Sequence, residues 1–374
     1  MNNNTNIVKY LSLFSCGGIG TYLLKDIGFK CAVSNELDIV RATYHQDLYK
    51  DDKMIIGDIR EKKKEIIQSY IETGCSGILA SPICQPFSLA GGQHLNDPET
   101  LLFLDVLDIT QATNPDFLLI ENVPYFISDK QSPIITNKLG GKTIKQYITD
   151  FLTNLGYEVN INKIKACDYG TAQKRERGII LACKKEFGKW NFPKKDDKIL
   201  TLKDVIGNGR FKSLEPGERD KNNPLHYAEY VNPDQAECLR HTPTGQSALL
   251  NIGKWKIKNI NGTESKAQHK SAFGRAKWDE PCPTIVMSSD SISGDWSVHP
   301  GYKKPDGTYS DPRPFSIAEL FAITGLPDTY YNDIPDWAKG NHKLLRQLVG
   351  ESFCPLVVKR LMQELKKVLP AFKS

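Results

Sequence analysis

The octapeptide Ser81-Pro82-Ile83-Cys84-Gln85-Pro86-Phe87-Ser88 sets one thiol in a proline-braced loop directly after the apolar run Gly77-Ile78-Leu79-Ala80. Prolines 82 and 86 fix φ and restrict the residues before them, so the loop is stiff. Open α/β sheets present their chemistry in loops at the C-terminal ends of strands. Cys84 is therefore a candidate nucleophile; the competing reading is a small buried hydrophobe. A second candidate, Glu121, ends the apolar run Phe117-Leu118-Leu119-Ile120 and is followed by Asn122-Val123-Pro124. An acid beside the cysteine strand suits proton donation, or else a strand-end salt bridge. A third group is Gln173-Lys174-Arg175-Glu176-Arg177, entering a late strand. Alternation would point Gln173, Arg175 and Arg177 to one side, where guanidinium groups grip a carbonyl or carboxylate.

Three further features stand at successive strand ends. The first strand runs into Phe14-Ser15-Cys16-Gly17-Gly18-Ile19-Gly20. Glycines there allow a tight turn and the close approach of a ligand to the next helix. About 20 residues on stands Glu36, where nucleoside-binding α/β folds place an acid for ribose hydroxyls. Gly57-Asp58-Ile59 ends the third strand, with an acid suited to an adenine amino group. Either carboxylate alone could be a capping residue; together the three suggest an adenosine pocket.

The elements that must position these residues alternate. Apolar runs at 7–14, 31–34, 54–56, 78–80, 117–120, 157–164 and 178–183 read as strands. Amphipathic stretches at 22–27, 39–49, 61–71, 100–113 and 144–155 read as helices. Such alternation implies an α/β fold with a mostly parallel, doubly wound sheet. The pattern stops after Cys183, and 184–198 reads as a lysine-rich connector. From there to about Asp311 the chain is irregular, and helical signal returns at 316–324 and 357–369. This gives a larger domain of 1–189 with 341–374 and a smaller one of 190–340.

The nine cysteines are scattered, with no CxxC pair. That argues against a zinc site and a disulfide framework, and for a reducing compartment. No signal-peptide pattern or membrane-length apolar run is present, so a cytoplasmic location with no membrane partner is expected. The formal net charge is +5, unevenly spread. Lys254, Lys256, Lys258, Lys266, Lys270, Arg275 and Lys277 face a single nearby acid, Glu264. Such a run is a solvated surface or a phosphate-contacting face.

Taken in order, these residues resemble the DNA cytosine-5 methyltransferases, and the resemblance covers almost the whole chain. It runs through Phe14–Gly20, Glu36, Asp58, the Pro82-Ile83-Cys84-Gln85 loop, Glu121-Asn122-Val123 and Gln173-x-Arg175-x-Arg177. It continues through Arg275, Pro281-Cys282-Pro283-Thr284-Ile285, Arg313-Pro314-Phe315-Ser316, Gly325-Leu326-Pro327-Asp328 and Gly350-Glu351-Ser352. The resemblance implies a Rossmann-like, S-adenosylmethionine-dependent methyltransferase fold with a smaller target-recognition domain. Phe14, Ser15, Gly17, Gly18, Gly20, Glu36, Asp58, Ile59, Pro82, Glu351 and Ser352 would then line the S-adenosylmethionine site. Cys84 would attack C6 of a cytosine, Glu121 would engage the N3 side of its ring, and Arg175 and Arg177 would orient the base and support Glu121. Gln85, Ser88, Asn122, Gln173, Arg275 and Thr284 would meet the base or the DNA, and 190–270 would correspond to the target-recognition region. No metal is implied. The implied partner is double-stranded DNA, a cognate restriction endonuclease acting separately stays open, and a monomer suffices.

Four positions depart from the family pattern. Ile83 stands where a proline usually precedes the cysteine, and Cys16 replaces the first glycine of the cofactor loop. Asp97-Pro98-Glu99-Thr100 lacks the usual Arg-Gly pair, and Glu351 stands where the family has asparagine. Competing readings are a tRNA cytosine methyltransferase, an inactive DNA-binding homologue and a nicotinamide-dependent dehydrogenase. The substantial basic segment favours DNA, the intact Cys84, Glu121, Arg175 and Arg177 favour activity, and a dehydrogenase would not need the cysteine loop.

Overall fold

The computed structural model describes residues 7–87, 94–263, 265 and 269–373. Its sheet has seven strands: β1 (Val8–Leu13), β2 (Phe29–Glu36), β3 (Lys53–Ile56), β4 (Gly77–Ala80), β5 (Phe117–Asn122), β6 (Tyr157–Lys165) and β7 (Glu176–Lys184). The order is β3-β2-β1-β4-β5-β7-β6. The five strands from β3 to β5 are parallel, whereas β7 is antiparallel to both β5 and β6. Every residue of β4 and β5 is buried. That is why both read as unbroken apolar runs rather than alternating ones: helices cover both faces.

The order reverses at β1, which pairs with β2 on one side and β4 on the other. Open α/β sheets bind ligands at such a switch point, outside the strand C-termini. Register sets the Phe14 loop, Glu36, the Ser81 loop and Glu121 at this one edge. Leu13 is opposite Asn35 and Ala80, and Ala80 is opposite Ile120.

The helices have local causes. Asp38 caps α1 (Ile39–Leu48) and Asp58 caps α2 (Ile59–Thr73), each accepting hydrogen bonds from first-turn amides. Gly74 ends α2 in the left-handed region, where glycine carries no Cβ penalty. The first connection is a 3-10 helix, Ile19–Ile27, beginning earlier than periodicity suggests. The expected 100–113 helix divides into a short turn, Pro98–Leu101, and α3 (Phe103–Thr113). Their inner faces meet the sheet in one core containing Leu11, Val33, Ile78, Leu118, Ile120 and Phe103.

The chain forms two compact units. The first comprises Met1–Lys165, Glu176–Lys195 and Val357–Ser374, and contains the sheet. The second comprises Ala166–Arg175 and Asp196–Leu356. This division differs from the boundary at 340/341, because a helix not expected from sequence, His342–Glu351, belongs with the second unit. Its Gly350 lies against the backbone of Val286 and Met287, where a Cβ would come within 2.5 Å of both. Its Arg346 is buried, with Glu229 at 3.3 Å.

A fully buried ion network stiffens the second unit. Arg313 reaches Asp311 at 2.7 Å and Glu319 at 2.8 Å. Beside it, Gly301 N–H donates to His299 Nδ1 at 3.1 Å. Burial drives the His299 pKa down to about 4, against the pull of Asp311 and Glu319. Burial alone would raise Glu319, but Arg313 and His299 hold it down to about 2. Among the described residues, no helix is long and apolar enough to cross a membrane.

Candidate active site

Cys84 sits half-buried where β4 ends, followed by a tight turn in which Phe87 N–H donates to the Cys84 carbonyl at 3.0 Å. The loop is tied to the neighbouring strand: Asn122 Nδ2 donates to the Pro82 carbonyl at 2.8 Å, and Asn122 Oδ1 accepts from Val123 N–H at 2.8 Å. Asn122 is 1% exposed, so these bonds are shielded from water. Ile83 packs on the sheet core, and this contact takes over part of the bracing that a proline would give. Ser88 lies outside the described residues, as do Lys266 and Glu264.

Glu121 is held from two sides. Arg177 Nε lies 2.6 Å from Oε1, and Ser81 Oγ donates to Oε2 at 3.0 Å. Both charged side chains are about nine-tenths buried, a setting in which an unpaired charge would be costly. Arg177 Nη1 also donates to the Glu176 carbonyl at 2.8 Å. Ser81 was missed by sequence reasoning; its signal was register, because Ala80 opposite Ile120 makes residues 81 and 121 neighbours.

Arg175 and Arg177 belong to different units. Strand β7 begins at Glu176, so the alternation expected from Gln173 to Arg177 does not extend back across this boundary. Arg175 is buried and donates to the carbonyls of Ile285, at 3.0 Å, and Glu351, at 3.4 Å. Gln173 is buried, its Oε1 accepting from Cys354 Sγ at 3.7 Å. Arg275 corrects the expectation of DNA contact: it is fully buried, its guanidinium donating to the carbonyls of Leu239, His299 and Asp311. Thr284 and Gln85 are exposed.

The glycine loop after β1 is strained. Phe14 and Cys16 adopt φ of 54° and 49°, and Gly18 a φ of 74°. The left-handed conformation at residue 16 is one that L-residues visit at a cost, which explains a glycine preference that this chain overrides with cysteine. Gly18 has no such freedom: a Cβ would stand 2.5 Å from the Tyr49 ring and 2.8 Å from His45 Nδ1.

Glu36 is fixed by three backbone amides, those of Cys16 at 2.8 Å and of Leu37 and Asp38 at 2.9 Å. A carboxylate has about four lone-pair sites, so acceptor capacity remains for diol hydroxyls. Ser15 Oγ is buried with no hydrogen-bond partner among the described residues; buried hydroxyls ordinarily have one, and a polar ligand in the loop would supply it. Asp58, besides capping α2, is paired with Arg60, which holds its carboxyl below the usual range. Ile59 is buried at the first position of α2. Gly17 is buried and Gly20 half-buried. Ser352 Oγ donates to the Leu348 carbonyl at 2.6 Å, in the second unit.

Behind the loop is a buried cluster that the motifs did not signal. Tyr49 Oη donates to the Gly18 carbonyl at 2.9 Å, His45 Nε2 lies 3.1 Å from Asp52, and Ser34 donates to the same Asp52 oxygen. Cys31, His45 and Asp52 have the side-chain types of a metal site, with ligand atoms within 4.8 Å of one another. The carboxylate oxygen they converge on already accepts from Ser34 and faces His45, so the cluster reads as packing support for the loop.

A profile of the C-5 cytosine-specific DNA methylases matches residues 8–367. The chain is 38% identical over 362 residues to the Type II methyltransferase M1.HgaI of Avibacterium volantium, covering 95% of this chain and 97% of that one. It is 32% identical to M.NgoPII of Neisseria gonorrhoeae, over 88% and 89% of the two chains. A prophage-encoded methyltransferase of E. coli shares the fold, with a TM-score of 0.67 at 19% identity over 96% of this chain and 99% of that one. The match across nearly the whole chain, with the cysteine loop and the Glu121–Arg177 pair inside it, makes this protein a member of the C-5 cytosine-specific DNA methylase family.

Proposed function

We propose that this protein is a sequence-specific modification methyltransferase that methylates C5 of cytosine in duplex DNA through addition of Cys84 to C6. The observation that carries the reading is the Asn122-tethered Cys84 loop beside the Arg177-held Glu121 at one edge of the sheet. Bound S-adenosylmethionine supplies an electrophilic methyl group. The residues suit it: Glu36 for the ribose diol, Ser15 Oγ for a polar group, the tight backbone at Gly18 for close approach, and Asp58 with Ile59 for the adenine edge once Arg60 yields. Phe14, Gly17, Gly20, Pro82, Glu351 and Ser352 complete the proposed set.

Cytosine C5 is a weak nucleophile within the aromatic ring. Attack by the Cys84 thiolate forms an S–C6 bond and pushes an electron pair toward N3, where Glu121 stabilises the change by sharing a proton. The ring becomes enamine-like, C5 takes the methyl group, and loss of the C5 proton expels Cys84. One difficult step thus becomes several easier ones. The reaction requires the base to leave the duplex stack. Arg177 fixes the Glu121 carboxyl in place, while Arg175 orients the backbone at Ile285 and Glu351. A cytoplasmic, monomeric enzyme is sufficient for this scheme, and a separate restriction endonuclease is its natural counterpart.

The test is methyl transfer from labelled S-adenosylmethionine to plasmid DNA and, separately, to tRNA. Labelled DNA that becomes unlabelled in Cys84→Ser supports the reading. Label in tRNA alone, or undiminished activity in Cys84→Ser, overturns it.

A further inference from the structure

The side-chain space that Gly18 lacks is filled from inside the fold. A Cβ there would stand 2.5 Å from the Tyr49 ring and 2.8 Å from His45 Nδ1. Tyr49 is the residue that ends α1, and His45 lies one turn earlier on the same face. The two rings have centroids 4.7 Å apart. His45 is fully buried, with Nε2 3.1 Å from an Asp52 oxygen that also accepts from Ser34. The Tyr49 ring is therefore packed against a fixed neighbour, with its hydroxyl aimed at the loop.

That hydroxyl closes a small network. Tyr49 Oη donates to the Gly18 carbonyl at 2.9 Å, and Thr21 Oγ1 lies 3.0 Å from Oη. Thr21 N–H donates to the same carbonyl at 3.2 Å, so both of its lone pairs are used. Burial pushes the Tyr49 hydroxyl well above its ordinary pKa, which keeps the donated proton in place. Gly18 N–H in turn closes a tight turn on the Ser15 carbonyl at 3.0 Å. Earlier in that turn, Cys16 N–H donates to Glu36 at 2.8 Å. Glu36 stands just before α1 and Tyr49 just after it, so the two ends of one helix hold the loop at two points.

These clamps work against strain. Phe14 and Cys16 have φ of 54° and 49°, conformations that persist only where the surroundings over-determine them. Between them, Ser15 Oγ is buried with no partner among the described residues, a separate mark of a loop shaped for a ligand. We propose that Tyr49 is a positioning residue for S-adenosylmethionine: its hydroxyl latches the Gly18 carbonyl and holds the strained loop in the form that receives the cofactor. This rests on the cofactor reading above. Without the hydroxyl the loop relaxes, only a fraction of molecules stands ready, and apparent affinity falls by that fraction. Saturating cofactor draws the loop back, so the chemical step is untouched.

The experiment measures S-adenosylhomocysteine binding by titration calorimetry for the wild type, Tyr49→Phe, and Tyr49→Phe combined with Cys16→Gly. Phenylalanine keeps the ring against His45 and Gly18, so both variants should fold, and urea unfolding curves check this. The expected Kd for Tyr49→Phe is about three- to tenfold higher than wild type. The KM for S-adenosylmethionine should rise in step, with kcat within about twofold of wild type. Adding Cys16→Gly removes the strain at residue 16 and should recover most of the lost affinity. A merely structural tyrosine would lower the urea midpoint and leave Kd unchanged, and that result would overturn the latch. A loss of affinity that Cys16→Gly leaves in place would overturn it too. A wild type that does not bind S-adenosylhomocysteine would instead overturn the cofactor reading itself.

Discussion

Replacing Glu121 by glutamine tests the proton-handling arm of the site with little change of shape. Arg177 Nε lies 2.6 Å from Glu121 Oε1, and Ser81 donates to the other oxygen at 3.0 Å. The glutamine amide oxygen can still accept from Arg177, and its NH2 can donate to Ser81 once that hydroxyl turns. Breaking a buried ion pair outright costs about 3–5 kcal/mol; with these bonds retained, the loss of stability should stay below about 3 kcal/mol. The effect on rate is larger in kind, because an amide cannot share a proton with N3. A positioned acid contributes about 10²–10⁴ in rate, or about 3–5 kcal/mol of barrier. Initial rates at saturating DNA and S-adenosylmethionine, read beside a urea unfolding curve, separate the two effects. Ser81→Ala is the control: it removes one neutral hydrogen bond, worth about 1 kcal/mol. A folded Glu121→Gln protein within tenfold of wild type would refute the role assigned to this carboxyl.

Cys16→Gly should raise stability by up to about 1 kcal/mol, because relief of the left-handed strain at φ 49° exceeds the entropy that glycine adds to the unfolded chain; a lower urea midpoint would contradict this. Gly18→Ala should cost about 1–3 kcal/mol and weaken S-adenosylmethionine binding, since the new Cβ would meet Tyr49 and His45; titration calorimetry showing normal affinity would count against the loop's role. The second unit should be acid-labile. His299 has a folded pKa lowered to about 4, so the unfolded chain takes up the proton first and stability falls as pH drops from about 6.5 toward 4. Glu319, lowered to about 2, adds loss below about pH 4.5, each proton contributing up to about 1.4 kcal/mol per pH unit. His299→Asn should flatten the upper part of that profile in denaturant titrations, and an unchanged slope would show that the network does not govern it.

How much was legible varies with the kind of signal. The strands at the middle of the sheet, β4 and β5, could be read as continuous apolar runs because both are buried, the half-exposed β6 by its partial alternation, and Cys84, Glu36 and Glu121 followed from their places at strand ends. The resemblance linked both Arg175 and Arg177 to Glu121; Arg177 Nε lies 2.6 Å from it, whereas Arg175 donates to the carbonyls of Ile285 and Glu351. Arg275 was misplaced because a cation within a lysine-rich run reads as surface, and only tertiary packing shows it buried on three carbonyls. The His342–Glu351 helix escaped notice because its buried Arg346 and Gly350 break the apolar pattern while packing against Glu229 and Val286. Ser81 and the His45–Asp52 pair depend on register and on depth, neither of which a local window carries.

The central claim is that Cys84 forms a covalent bond to C6 of the substrate base. Duplex DNA in which 5-fluorocytosine replaces cytosine tests it directly, because a fluorine at C5 cannot leave as a proton and elimination stalls. The account predicts a denaturation-resistant protein–DNA complex that depends on S-adenosylmethionine, with the nucleotide mapped by mass spectrometry to the peptide containing Cys84 and lost in Cys84→Ser. An enzyme that methylates ordinary DNA yet gives no trapped complex, or one attached at a different residue, would contradict it.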